Sequence, residues 1–309
     1  MKKRLCHVSM ALIVIVSIVA AMPTLAHAWS QSFHALVAKR CLNVQSKYIA
    51  SYNARIGAMV PDFAWYLKDK GLIEDEAEIL HGDTTDECVI PGDTTYLYQK
   101  ASDLVPWWDY GSRYLAKGIG SHVYADIIAH NLVDGYVERW IAAFPAKAEV
   151  VDKEALHLAL EFAVDALLIQ KHGLQLADLL LPYRQANFVE EAVEAAIGNI
   201  QGVGLSQEFK KYVALMRVLE KLAGAYAPYL VRGEVDEGAL RLLEESELFE
   251  AERELTEEGL ESYYGVLMIL LQYPAEIHKT ITADGMHWEV ALDAAVGFCK
   301  EPTVCVYEE

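Results

Sequence analysis

An all-α fold follows from two observations on this 309-residue chain. Apolar residues recur at three- and four-residue steps nearly throughout, as at Leu156, Leu160, Ala163 and Leu167, or at Ala214, Val218, Leu222 and Ala225. The strict apolar/polar alternation that marks half-buried strands is nearly absent. One stretch departs from the helical pattern. From Leu72 to Trp108, Gly82, Pro91, Gly92 and Pro106 fall among acids and threonines, which predicts one long irregular loop, and long loops in compact domains usually carry function or move.

At the start of the chain, Lys2, Lys3 and Arg4 precede the apolar run Ala11 to Ala21, and Ala26-His27-Ala28 supplies small residues at the spacing of a processing site. This reads as an export leader over residues 1–28, with a mature chain from Trp29. The apolar run is short for a bilayer, since a spanning helix needs about 20 residues, so a soluble secreted or periplasmic product is expected. An uncleaved anchor, or a cut one or two residues away, fits the same residues. Processing would free an α-amine on Trp29, with a reference pKa of about 7.7 to 8.0 against about 10.4 for lysine, and hence far more available to a metal.

Loss of the leader removes three positive charges and no acid, taking the formal net charge from −19 to −22. Such a field repels polyanions unless a local positive centre overrides it. Cys41, Cys88, Cys299 and Cys305 remain. Their wide spacing carries no zinc-finger signature, and in an oxidising compartment they allow two disulfides, for which a Cys299–Cys305 bridge is expected.

The mature chain is long enough to bury a full core, as one domain or two close-packed halves. Amphipathic helices continue through residues 171–309, either as a separate unit or packed with residues 29–170. The acidic run Glu244 to Glu258 reads as solvated surface, and the apolar stretch Tyr263 to Leu271 as a buried helix core.

Histidines and carboxylates then fall in a pattern. In the helical segment Ser121 to His130, steps of four place His122, Asp126 and His130 on successive turns of one face, about 6 Å apart in rise. That face suits a metal, and it equally suits a buried stripe in which Asp126 hydrogen-bonds two imidazoles. His157 and Glu161 form a second four-residue pair, fit for a four-coordinate zinc or for a plain surface contact. Pro61 fixes the approach to Asp62, a ligand or a helix cap, and Gly82 lets the chain turn beside His81. His172, His278 and His287 stand without an obvious cluster.

Taken in order, Trp29, His34, Asp62, His81, His122, Asp126, His130, His157 and Glu161 resemble the ligand set of the zinc-dependent phospholipase C family, related to the S1/P1 nucleases. The resemblance implies a multi-helix bundle, three zinc ions and a catalytic region at residues 29–170. It assigns Asp62, His81, His122 and Asp126 to one zinc of a close pair. The amine and carbonyl of Trp29, with His34 and a bridging Asp126, go to its neighbour, and His130, His157 and Glu161 to the third. In the best-known phospholipases and in the nucleases the next helix ligand follows the aspartate by six residues; here His130 follows Asp126 by four, as in broader phospholipase C-like domains such as the zinc domain of glycosylphosphatidylinositol-specific phospholipase D. The Trp29 to His34 spacing is more like the nucleases.

The chemistry this implies is phosphodiester hydrolysis by hydroxide at the close pair, with the third zinc stabilising the leaving alkoxide and no protein nucleophile. Asp62 is also a candidate general base. Asp134, one turn past His130, is a candidate to orient that imidazole, or is a solvated aspartate. Phe63, Trp107 and Trp108 are candidates to line a lipid or choline pocket, or are core residues. Phospholipid headgroups are the expected substrate, peripheral contact with a membrane is compatible with it, and no obligate protein partner is inferred. The acidic charge and the helix spacing disfavour nucleic acid. A nuclease of the same superfamily and a non-catalytic zinc-binding module are the rival readings.

Overall fold

A computed structural model of the chain describes residues 31–45, 47–81, 96–234, 265–266, 268–283 and 287–300. Trp29, the expected leader, Cys88, Cys305 and the acidic run at 244–258 lie outside the described residues. Those described form helices and turns with no strand. In chain order the helices are α1 (Gln31–Cys41), α2 (Tyr48–Gly57), α3 (Phe63–Asp69), α4 (Glu76–His81), α5 (Tyr96–Leu104), α6 (Tyr110–Ala143), α7 (Pro145–Ala148), α8 (Lys153–His172), α9 (Tyr183–Ile197), α10 (Leu205–Arg232), α11 (Pro274–Ile281) and α12 (Trp288–Lys300).

The long helix α6 is the spine. Its 34 residues rise roughly 51 Å. Asp109 starts it by accepting a hydrogen bond from the Ser112 amide at 3.2 Å, and the helix ends where Phe144 precedes Pro145. Helix α8 is bounded in the same manner, by Asp152 accepting from the Ala155 amide at 2.8 Å and by Gly173 at φ 75°. Helices α1, α2, α8 and α12 all pack on α6, and α10 lies along α8.

The approach of α2 to α6 is set by two glycines. A Cβ on Gly57 would stand 2.0 Å from the Leu115 carbonyl oxygen, and one on Gly118 2.2 Å from that of Ala54. Only glycine permits backbones this close. The largest fully buried side chains of the core are Trp140, Tyr66, Tyr136, Tyr212, Phe33, Phe63 and Phe209. Burial of these aromatics, together with the many leucines, isoleucines and valines packed around them, holds the helices together.

Two sequence expectations are corrected here. The stretch from Leu72 to Trp108 is not one loop: α4 and α5 occupy much of it, burying Ala77, Leu80, Leu97 and Ala101. Neither helix contains a glycine or proline, and the buried positions fall at helical spacing, Ala77 with Leu80 and Leu97 with Ala101; the breakers that suggested a loop lie outside both helices. The disulfide joins Cys41 to Cys299, not Cys299 to Cys305, because α12 packs on α1 and brings their Cα atoms to 5.9 Å. The apolar stretch at 263–271 agrees with its reading where described, with Val266, Ile269 and Leu270 buried. Among the described residues no helix is long and apolar enough to cross a membrane.

Candidate metal centre

Helix α6 presents His122, Asp126 and His130 on one face, and four other elements deliver side chains to it. His34 comes from the first turns of α1, Asp62 from the residue before α3, His81 from the last position of α4, and His157 with Glu161 from α8. His34, Asp62, His81, His122, Asp126 and Glu161 are buried; the side chains of His130 and His157 keep 27 % and 18 % of their exposure. Three groups result in which the potential ligand atoms all lie within 4.8 Å of one another: His34, His122 and Asp126; Asp62, His81 and His122; and His130, His157 and Glu161. Every residue of the predicted ligand set that falls among the described residues is in one of them.

The distances show how tightly the groups adjoin. Asp62 Oδ1 is 3.2 Å from His81 Nε2 and 3.7 Å from His122 Nε2, while the two imidazole Nε2 atoms are 3.4 Å apart. Asp126 stands between the groups, with Oδ1 3.7 Å from His34 Nε2 and 3.1 Å from His130 Nε2, and Oδ2 3.8 Å from His81 Nε2. His157 Nε2 is 3.2 Å from Glu161 Oε1. Asp62 sits at the N-cap position of α3 but makes no capping bond. Its Oδ2 instead accepts from the side-chain amide of Gln31, which leaves Oδ1 to face the two imidazoles.

The donor set fits a cation. Burial drives His34 and His122 down to about 4, so both imidazoles are neutral near pH 7, the form that ligates a metal. The second oxygen of Asp126 and Nδ1 of His34 are buried and make no hydrogen bond within the protein, an arrangement that is costly unless an ion or a water satisfies it. The charge of Asp126 raises His130 to about 10. Burial works upward on Asp126, yet His130, His81 and His122 together hold it well below the usual carboxylate range. The carboxylate of Asp126 thus demands positive charge at this point. On the third group, burial opposes ionisation of both partners, and the pairing of His157 with Glu161 overrides it, raising the one and lowering the other.

Other expected residues fall elsewhere. Asp134 reaches His157, not His130: its Oδ1 lies 3.1 Å from His157 Nδ1, because α8 packs beside α6 at this level. Phe63 is wholly buried against Tyr66, Phe209 and Tyr212, so it faces the core and no lipid pocket. Trp107 and Trp108 are 86 % and 62 % exposed just before α6, roughly 18 Å of helix rise from His122. Arg184 covers the ring of Trp108.

His172, His278 and His287 do come near one another. The first and last flank Trp288, with ring centroids at 6.2 and 5.7 Å, and His278, His287 and Glu289 line an open cavity of about 280 Å³. No three such ligand atoms meet there among the described residues. Gln31 went unforeseen, since a side-chain amide has no metal-ligand signature.

The sequence model of one family, zinc dependent phospholipase C, matches residues 24–226, more than half of the chain. No curated protein and no solved structure matches it. The chain belongs to the zinc-dependent phospholipase C family.

Proposed function

We propose that this family member is an exported trizinc phosphodiesterase that hydrolyses phospholipid headgroups. The carrying observation is the pair of adjoining groups that share His122, with the group of His130, His157 and Glu161 one helical turn further along α6. Residues 29–170 form the catalytic region, and α9 to α12 pack with it as one unit. His34, Asp62, His81, His122 and Asp126, with the terminus of Trp29, hold two zinc ions; His130, His157 and Glu161 hold the third. When bound, zinc polarises a phosphoryl oxygen and lowers the pKa of water toward neutrality.

The residues themselves do the following. Asp62 is held by Gln31 so that one oxygen faces His81 and His122 and can take a proton. Asp126, buried and anionic, supplies the charge that keeps cations between the groups. Burial of His34, His81 and His122 excludes bulk water from their side, while the partial exposure of His130 and His157 opens the other side to substrate. An open coordination position is the feature that separates a catalytic zinc from a structural one. Three zinc ions against Asp62, Asp126 and Glu161 make a positive centre in an acidic protein, where a phosphodiester is drawn and held. The Cys41–Cys299 bridge supports an oxidising destination.

The test uses a chain beginning at Trp29. Three zinc ions per chain and turnover of a choline phosphodiester are expected. Cleavage of single-stranded DNA with no turnover of the choline ester would make the protein a nuclease, and bound zinc with neither activity would make it a zinc-binding module.

A further inference from the structure

Helix α8 carries a third carboxylate in step with its two metal-facing residues. His157 and Glu161 are followed four residues later by Asp165, which is 4 % exposed and lies outside all three ligand groups. Its two oxygens accept from the backbone amides of Ser32 and Phe33, each at 3.2 Å, from the first turn of α1. Glu220 on α10, 3 % exposed, accepts from the Ser32 hydroxyl at 3.0 Å and from the Leu176 amide at 2.8 Å, and also from the Gln175 amide. Two buried carboxylates from two helices thus converge on residues 32 and 33.

The flanking residues are those that meet the metal centre. Gln31 donates to Asp62, and His34 Nε2 lies 3.7 Å from Asp126. In the first turn of α1 two adjacent anchored residues are thus bracketed by two site contacts, and a helix N-terminus, with free amides and a positive dipole end, is where carboxylates seat best. Burial, with the charge of Glu220 adding to it, pushes the Asp165 carboxyl well above its usual range against the pull of the Ser32 amide, and burial likewise raises Glu220. Two such costly groups persist side by side only where the contacts they make are needed. The space enclosed with Gln31 and Ser32 is about 10 Å³, room for no more than one water, so the pair grips the chain and binds no ligand.

We propose that Asp165 and Glu220 are positioning residues that seat the first turn of α1 and thereby set His34 against Asp126 and Gln31 against Asp62. The consequence for zinc rests on the metal reading above; the grip on Ser32 and Phe33 does not.

The test compares the chain from Trp29 with its Asp165→Asn and Ser32→Ala variants, by amide hydrogen exchange at residues 32 and 33 and by competitive zinc titration. A Glu161→Gln reference identifies the zinc of the third group. Asparagine keeps the shape but turns a donor toward one amide, so Asp165→Asn should speed exchange at both amides. It should also weaken zinc at the His34 group about tenfold or more, as loss of an outer partner does, with the third group unchanged. Ser32→Ala removes only the hydroxyl contact and decides the matter if Asp165→Asn does not fold; about threefold weaker zinc at the same group is expected. Faster exchange with unchanged zinc affinity, or equal weakening at every site, overturns the positioning role. Wild-type exchange in both variants overturns the grip itself. A parent chain that binds no zinc sinks the metal reading instead, and the exchange rates still judge the grip.

Discussion

The Nδ1 of His122 lies 2.8 Å from the carbonyl oxygen of Ala58, which keeps the ring proton on Nδ1 and leaves Nε2 for Asp62, His81 and a metal. That bond exists because Gly118, one turn earlier, lets α6 touch α2. Gly118→Ala would gain helix propensity, but its Cβ would meet the Ala54 carbonyl and force the helices apart. We expect a net loss of about 1 to 3 kcal/mol and weaker zinc binding, read by thermal unfolding with and without the metal. Unchanged stability and zinc affinity would show that the close approach does not position His122.

If processing begins the mature chain at Trp29, as proposed, its free amine is expected to complete one zinc site. Trp29 precedes Gln31 by two positions in the sequence, and Gln31 already contacts Asp62. A chain with one extra residue ahead of Trp29 should bind less zinc and turn over more slowly than the chain that begins there. Equal metal content and rate in the two would remove the terminal-amine role.

How much of this was legible in the sequence follows from the range of each signal. His122, Asp126 and His130, or His157 and Glu161, share a helix face, so four-residue spacing alone juxtaposes them. Bringing His34, Asp62 and His81 to that face needs tertiary packing, and only their order along the chain, through the family resemblance, hinted at it. Asp165 continues the stripe of His157 and Glu161 and was open to the same reading; its partner Glu220, 55 residues away, was not. Spacing along one helix puts Asp134 beside His130, but the neighbouring helix supplies its partner, His157. Likewise, proximity in sequence favoured Cys305 for Cys299, whereas the packing of α12 on α1 selected Cys41.

Asp134 should orient His157 by accepting from its Nδ1, 3.1 Å away. Its side chain is 67 % exposed, and water replaces much of what it offers. Asp134→Asn is therefore expected to weaken the third zinc only about threefold, against the 10- to 100-fold typical of well-buried outer partners. Glu161→Gln, which alters a ligand itself, should abolish binding at that group. Titration with zinc under a competing chelator distinguishes the two, and a null effect of Glu161→Gln would remove the third site.

Stability should carry a pH signature of the pair beneath α1. Asp165 and Glu220 are both raised by burial, so between the ordinary carboxylate range, about pH 4, and their raised values the folded state holds more protons than the unfolded. Their contribution is present below that window and is lost as pH rises through it. Glu220→Gln removes one of the two titrations and the charge that helps raise Asp165. Its stability, followed by urea unfolding across the window, should fall less steeply with pH than that of the parent. Parallel slopes would show that the pair ionises in the folded state as it does in the unfolded one.

The two ends of α1 are secured independently, and this separates a stabilising link from a positioning one. Cys41, at the C-terminal end, is tied to Cys299 across 258 residues of chain. Closing so long a loop restricts the unfolded state, and Cys299→Ser is expected to cost about 3 to 5 kcal/mol. Yet Ser32, Phe33 and His34 lie about two turns away at the other end, where Asp165 and Glu220 hydrogen-bond the first two of them. The folded Cys299→Ser chain should therefore keep its zinc affinity within about twofold, since nothing it loses touches the first turn. Zinc that weakens in step with stability would mean that the bridge, and not the carboxylate pair, sets His34.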